Sequence, residues 1–151
     1  MSERRRDLAS EDGSAALEFV VLGVLLLVPL VYLVLTLGSV QEQTLGAEAA
    51  ARHAARVIGQ APDEATASAR ADAVLDSVIR EYDMNADAVD VAISCRPAGP
   101  NCPAAGSTVI VTVRTRVSLP LMPPLFGLDR IAAIPVEAES VQRVSRLWGT
   151  E

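Results

Sequence analysis

Two cysteines, Cys95 and Cys102, are the residues of this sequence best suited to covalent chemistry. They enclose the short segment RPAGPN, so a disulfide between them would close a small loop. Such a bridge contributes about 2.5 kcal/mol by restricting the unfolded chain, which is enough to staple a loop but not to hold a domain together. The alternative is two unpaired thiols. A zinc site is not expected, because these cysteines and one distant histidine are too few ligands.

The other reactive side chains form no catalytic motif. The sequence has no phosphate-binding glycine loop, no HExxH and no serine in a nucleophile elbow. His53, the only histidine, lies among alanines, and the acidic residues near position 87 are typical of solvated side chains around a turn. The formal net charge of −6 argues against nucleic acid, which requires clustered basic residues. We therefore expect no enzymatic activity, catalytic residue, cofactor, metal or small-molecule substrate.

An uncharged apolar run, FVVLGVLLLVPLVYLVLTL, extends from Phe19 to Leu37. As a helix it would rise about 28 Å, which matches a bilayer hydrocarbon core about 30 Å thick. We therefore predict a membrane-spanning helix over residues 14–38, in which Pro29 can introduce a kink. A secretory signal peptide is the competing interpretation, but its apolar region is about 7–15 residues long and ends at a small-residue cleavage site.

The charges on either side of this run predict its orientation. Arg4, Arg5 and Arg6 precede it, which favours a cytoplasmic N-terminus by the positive-inside rule. The asymmetry is modest, because Arg52 and Arg56 follow the run. The chain is thus predicted to be a single-pass protein of the cell membrane, in contact with lipid. Its C-terminal part would lie outside the cytoplasm, where disulfides persist.

The flanks of the spanning helix differ in character. Residues 1–13 are polar and without periodicity, so we expect a disordered cytoplasmic leader and a helix that begins near Ser14. Beyond the membrane, residues 39–60 are predicted to extend the helix to about Gly59. Glu48 and Arg52 are four residues apart in the favourable order for a helical ion pair. The opposite flank of this extension consists of small and apolar residues suited to close packing: Ala47, Ala50, Ala54, Val57 and Ile58.

Residues 61–144 are predicted to form a small exported α+β domain, followed by a C-terminal tail over residues 145–151. Asp63 is a predicted N-cap for a second helix. Alternation of apolar and polar residues then predicts three strands, around residues 89–95, 108–117 and 134–141, in an antiparallel sheet covered by helices on one face. Pro135 favours an edge position for the third strand. Cross-strand ion pairs are expected between Glu137 or Glu139 and Arg114 or Arg116.

The connection between the second and third strands, LPLMPPLFGLD, is unusually apolar for a loop. Its large side chains include Leu121, Met122, Leu125 and Phe126. One interpretation is a loop folded under the edge of the sheet. The other is a docking surface for a partner or for the outer face of the membrane.

The residues that introduce the apolar run carry the most specific pattern in the chain. Gly13 is followed by SAAL, then by Glu18 and Phe19. This order resembles the processing site of type IV-like prepilins, as used by the tight-adherence (Tad) pilus systems. The resemblance implies that a membrane-embedded aspartyl prepilin peptidase cuts between Gly13 and Ser14. Glu18 would then be the fifth residue of the mature chain.

The resemblance continues from Gly13 to about Val144. The long N-terminal helix, the alanine-rich AARHAARV and the valine-rich strand with its Pro/Leu/Phe/Gly loop are similar to the TadE-like pilus assembly proteins, or pseudopilins. This implies a minor pilin or pilus assembly factor. Its implied partners are the prepilin peptidase, other pilin-like subunits and the assembly machinery. Two other functions stay open: an unprocessed, membrane-anchored extracytoplasmic binding or adaptor module, and a secreted protein that loses its apolar segment.

Glu18 also poses a physical question, because a carboxylate at the bilayer centre costs about 2.5–3.5 kcal/mol, and less near the interface. A partner would offset that cost. In pilin-like assemblies the glutamate can neutralise the new amine at the mature N-terminus, here Ser14, in its own chain or in a neighbour. The alternative is a carboxylate that snorkels into the headgroups.

Overall fold

The computed structural model describes residues 4–120 and 133–148. The chain divides into two compact units, Met1–Leu37 and Gly38–Glu151. The elements in chain order are helix α1 (Arg4–Gly59), helix α2 (Glu64–Glu81), a short 3₁₀ helix (Ala86–Ala88), and strands β1 (Asp90–Arg96), β2 (Thr108–Val117) and β3 (Ile134–Arg143). The predicted α+β class is confirmed: a long N-terminal apolar helix, a second helix and a three-stranded antiparallel sheet.

Helix α1 differs from the prediction at its start and agrees with it at its end. Because the helix begins at Arg4, the expected start near Ser14 is wrong, and so is the expected disorder over residues 4–13 of the leader. Arginine, leucine, alanine and glutamate, which dominate residues 4–12, all favour helix. Adding them to an existing helix also avoids the cost of a new nucleus. The predicted end at Gly59 is confirmed, with Arg56 in the last turn and Pro29 inside the helix.

The core of the second unit is built from small residues of α1, from α2 and from one face of the sheet. Alanine dominates the helical contribution, and a side chain of one carbon lets backbones approach closely. The buried residues of α1 are Ala47, Ala50, Ala51, Ala54, Ala55 and Ile58, those of α2 are Ala67, Ala71 and Val78, and those of β2 include Val109, Val111, Val113 and Val117. On its exposed side, α1 carries the predicted ion pair between Arg52 and Glu48 at 3.0 Å.

The sheet has the order β1-β2-β3, with both neighbouring pairs antiparallel. The predicted hairpin of the first two strands and the edge position of Pro135 are therefore confirmed. Arg114 lies opposite Glu137 in the register, and its Nε donates to Oε2 of Glu137 at 2.9 Å. This hydrogen bond raises the pKa of the Arg114 guanidinium. Because both side chains are exposed, the pair fixes strand register more than it stabilises the fold.

Helix α2 is capped at both ends. The predicted N-cap is confirmed: the carboxylate of Asp63 accepts hydrogen bonds from the backbone N–H of Thr66 at 2.8 Å and from its hydroxyl at 3.0 Å. These bonds to Thr66 lower the pKa of Asp63, because they favour its charged form. At the other end, the N–H of Met84 donates to the carbonyl of Ile79 at 2.9 Å, and Asp83 has a φ of 45°. These features are those of a Schellman cap.

The C-terminal residues that the structure describes belong to the domain rather than to a detached tail. Val144 is buried, and its N–H donates to the carbonyl of Ser107 at 2.9 Å. Trp148 is half-buried and packs against the core. Its indole Nε1 is buried without a hydrogen-bond partner in the described part of the chain. The sheet domain therefore extends past the predicted boundary at residue 144.

Gly46 of α1 lies close to the segment that follows α2. A Cβ at this position would lie 2.9 Å from Cβ of Tyr82 and 3.0 Å from Sδ of Met84. We expect Gly46→Ala to lower the free energy of unfolding by about 1–3 kcal/mol, the usual cost of overpacking. Thermal unfolding of the full chain in detergent, followed by circular dichroism, measures the change.

Gly38→Ala is the matched control, because a Cβ at Gly38 meets nothing within 4 Å on the same helix. Alanine there should raise stability by up to about 1 kcal/mol through its better helix propensity. If both variants shift the melting temperature in the same direction, the close packing at Gly46 is contradicted.

Candidate processing site and membrane segment

Helix α1 contains the one stretch of the described residues that is long and apolar enough to cross a membrane. Its most apolar 18-residue window is 0% buried. Exposure of the large apolar side chains in this segment runs from 47% at Val31 to 78% at Phe19. A helix that is hydrophobic all round needs either a protein interior or lipid around it. No described part of the chain covers this segment.

One polar side chain inside this segment makes its hydrogen bond within the helix. The hydroxyl of Thr36 donates to the carbonyl of Tyr32 at 2.9 Å, one turn back along the same helix. The bilayer core provides no water for hydrogen bonding, so a polar group there must find its hydrogen-bond partner within the protein. Pro29 lacks the N–H that would otherwise bond the carbonyl of Leu25. Transmembrane helices tolerate this loss through neighbouring groups or local adjustment.

The predicted processing residues all lie on α1. Gly13 and Ser14 belong to its helical backbone, and Glu18 and Phe19 follow with exposed side chains. In a helix, positions four residues apart are about 6 Å apart along the axis and share a face. The backbone nitrogen of Ser14 and the residue Glu18 are related in this way. The structure therefore brings the predicted cut site and the carboxylate together within about one turn.

The peptide bond between Gly13 and Ser14 lies inside the helix, which the sequence did not predict. Glycine is the weakest point of this part of α1, because it costs about 1 kcal/mol relative to alanine in a helix interior. A peptidase that hydrolyses this bond would have to unwind the helix locally. The glycine lowers the free energy needed for that step.

The predicted disulfide is confirmed. Cys95 and Cys102 are bonded, with their Cα atoms 5.7 Å apart. The bridge closes the loop between β1 and β2. Cys95 is 8% exposed and joins the core, and its register partner Val109 is fully buried. The bond therefore anchors an exposed loop to the interior of the domain.

The remaining candidates for chemistry stay apart and exposed. His53 is exposed on α1, and Asp83, Asp87 and Asp90 are exposed around the 3₁₀ helix. Among the residues that the structure describes, no group of three or more histidine, cysteine, aspartate or glutamate side chains could hold a metal ion. The predicted docking loop with Leu121, Met122, Leu125 and Phe126 lies outside the described residues.

Sequence reasoning did not identify the open edge of β1. Alternation along β1 puts Ile93 on the same face of the sheet as Val91 and Cys95, and its register partner Val111 is fully buried. Ile93 itself is 48% exposed, because β1 is an edge strand and the core extends only partly over it. The strand order explains this exposure, but the alternation of residues within one strand does not reveal which strand lies at the edge.

No protein-family model matches the chain, and neither a curated protein nor a solved structure matches it. The resemblance to the TadE-like proteins therefore depends on the residues quoted above and stays a prediction. The fold, the exposed apolar helix and the disulfide are observations independent of that resemblance.

Proposed function

We propose that this chain is a single-pass membrane protein of the TadE-like type, which acts as a minor pilin or pilus assembly factor. A prepilin peptidase would cut it between Gly13 and Ser14. The mature protein would then act by packing its helix against pilin-like subunits and by presenting its exported α+β domain to partners. The observation that carries the proposal is the spacing of Gly13 and Glu18 directly before an apolar helix with no buried residue in its most apolar window.

The orientation is part of the proposal. Arg4, Arg5 and Arg6 precede the apolar segment, which favours a cytoplasmic N-terminus. The disulfide between Cys95 and Cys102 supports an exported second unit, because disulfides persist outside the reducing cytoplasm. The two arguments are independent, since one uses charge near the membrane and the other uses redox environment.

Glu18 has a specific role in this proposal. Hydrolysis after Gly13 would create a positive amine on Ser14, about one helical turn from Glu18. The mature helix would also begin at Ser14, which places the carboxylate near the positive end of the helix dipole. Both the amine and the helix dipole would attract the carboxylate of Glu18. An amine paired with this carboxylate can enter a subunit interface at lower cost than an unpaired one.

A second function, the unprocessed extracytoplasmic adaptor, is favoured by one observation. The Gly13–Ser14 bond lies within a helix that runs from Arg4 to Gly59, so hydrolysis would require unwinding. An adaptor would keep its leader and use the same membrane anchor and exported domain.

N-terminal sequencing of the protein recovered from membranes separates the functions. The cells must also contain a prepilin peptidase. We expect Ser14 as the first residue. An intact leader beginning at Met1 would indicate the adaptor, and a start beyond about Ser39 would indicate a secreted protein that loses its apolar segment.

Glu18→Ala is expected to leave cleavage unchanged and to reduce incorporation into pilin-like assemblies about tenfold, because the Ser14 amine would lose a partner worth about 1–2 kcal/mol near the interface. Quantitative immunoblotting of the assembled fraction measures the loss. Glu42→Ala is the matched control, since Glu42 is an exposed glutamate of the same helix outside the apolar segment. Incorporation equal to that of the wild type would refute the charge pairing and leave the cleavage proposal intact.

A further inference from the structure

Strand β1 has one side that no described element pairs. The sheet order places β1 at an edge, with β2 as its described neighbour. Every second residue of an edge strand turns its N–H and C=O groups away from the sheet, so the strand can accept another strand. Natural edge strands are commonly protected by proline, lysine or a bulge. The sequence of β1, DVAISCR, contains neither proline nor lysine, and its register with β2 is uninterrupted.

An apolar side chain lies beside this open edge. Ile93, at the middle of β1, is on the core face of the sheet, because it pairs with buried Val111. It is nevertheless 48% exposed, while its neighbours on that face, Val91 and Cys95, are half-buried and buried. A strand added beside β1 would cover Ile93 and extend the core face.

The charges of β1 are complementary to those of a second copy of the same strand. In an antiparallel pair centred on Ile93, Asp90 of one copy lies opposite Arg96 of the other, and the two-fold axis repeats this pair. Ile93 then lies opposite Ile93, and Ala92 lies opposite Ser94. Both charged side chains are exposed. Asp90 also lies opposite Arg114 of β2 and attracts it electrostatically, but Arg114 donates its hydrogen bonds to Glu137.

The other edge of the sheet lacks this complementarity. Pro135 has no backbone N–H, so it interrupts the row of hydrogen-bond donors along β3. A two-fold pairing centred on Ala138 would place Glu137 opposite Glu139, and like charges directly opposite are destabilising. The sheet therefore offers one edge for self-association.

We propose that two copies of this chain associate through β1, antiparallel and centred on Ile93, to form a continuous six-stranded sheet across the two exported domains (about six strands is also the usual size of an open sheet). A C2 interface of this kind is self-complementary by symmetry. The proposal does not depend on cleavage after Gly13, so either can fail alone.

A charge-exchange experiment with the full chain in detergent micelles tests the register. Two copies with different affinity tags are co-expressed, and the amount of the second copy that co-purifies with the first is measured. We expect Asp90→Arg, paired with itself, to reduce recovery about tenfold, because two opposite-charge pairs become two like-charge pairs. Arg96→Asp, paired with itself, should reduce the recovery of the second copy by a similar factor.

Mixing the two variants is the decisive arm. A copy with Asp90→Arg and a copy with Arg96→Asp present opposite charges at both ends of the interface, so recovery should return to within about twofold of the wild type. The double variant should also recover when paired with itself. Recovery in the mixture that is no better than in either single variant would overturn the proposal, and so would a wild-type chain that does not co-purify with itself.

Substitution of the central residue provides a second test. Ile93→Lys should reduce co-purification about tenfold or more, because it places two ammonium groups together on the two-fold axis. Val141→Lys on β3 is the matched control, since Val141 is also an exposed apolar residue of the sheet, at 57%. Equal thermal unfolding of the two variants shows that both are folded. Loss with Val141→Lys and not with Ile93→Lys would overturn the assignment to β1.

Discussion

Gly13→Val is expected to leave the chain with its leader attached in cells that process the wild type. In the proposed processing reaction the residue before the cut has no side chain, and a branched side chain there would displace the scissile carbonyl from the catalytic aspartates. A displacement of about 1 Å reduces the rate about 100-fold. The mature form should therefore be nearly absent at steady state, which a gel-mobility comparison and the intact mass of the membrane protein both detect.

Gly23→Val is the matched control for this substitution. Gly23 lies on the same helix, and a Cβ there meets nothing within 4 Å. Valine at this position should leave cleavage unchanged. If Gly13→Val gives the mobility of the processed wild type in a strain with the peptidase, cleavage after Gly13 is contradicted. If neither the wild type nor the variant is processed, the unprocessed adaptor becomes the better description.

Gly13→Ala separates the two contributions of the glycine. Alanine adds only one carbon, so its steric effect on the peptidase should be small. It also strengthens α1 at the cut site by about 1 kcal/mol, which makes local unwinding harder. We expect cleavage that is slower than wild type by about fivefold, the factor that corresponds to this free energy. A fivefold reduction would indicate that the helix around Gly13, which begins at Arg4, must unwind before the peptide bond is cut.

The elements whose signal is local could be predicted from the sequence. The apolar segment from Phe19 to Leu37 can be recognised from its length and its lack of charged residues alone. The burial of Val109, Val111 and Val113 follows from a period of two, because alternate residues of a strand share a face. The same logic predicts that Glu137 or Glu139 pairs with Arg114 or Arg116, and the register places Arg114 opposite Glu137.

Features that depend on distant residues could not be predicted. The exposure of Ile93 depends on the position of β1 at the edge of the sheet. The need for glycine at position 46 depends on Tyr82, which arrives there only because α2 returns the chain to α1. The start of α1 was misjudged for another reason: polarity without periodicity was read as disorder, although the residues at 4–12 favour helix.

The processing site depends on information outside the chain. Gly13 and Glu18 have a clear position on α1, but their proposed roles are defined by a peptidase and by neighbouring subunits. The same holds for any residue whose role is recognition by another protein, because selection acts on the complex. Local geometry can show that Ser14 and Glu18 are about one turn apart.

Cys102→Ala is expected to cause a large loss of stability in the second unit. Removal of the bridge to Cys95 returns about 2.5 kcal/mol of chain entropy to the unfolded state. The free energy of unfolding should fall by that amount, and the melting temperature by about 10 °C for a domain of this size. Thermal and urea unfolding of the full chain in detergent, compared with the wild type under oxidising conditions, measure both quantities.

A double-mutant cycle separates the bond from the packing of its two cysteines. Cys102 is half-buried, so its replacement reports chiefly on the bond, whereas Cys95→Ala also removes a buried sulfur from beside Val109. The bond can be lost only once. The free energy of unfolding of the double variant should therefore lie within about 0.5 kcal/mol of that of Cys95→Ala. Ser94→Ala, an exposed change on β1, should cost no more than about 0.5 kcal/mol. Additive losses in the double variant would mean that packing, and not the covalent closure of the loop, provides the stability.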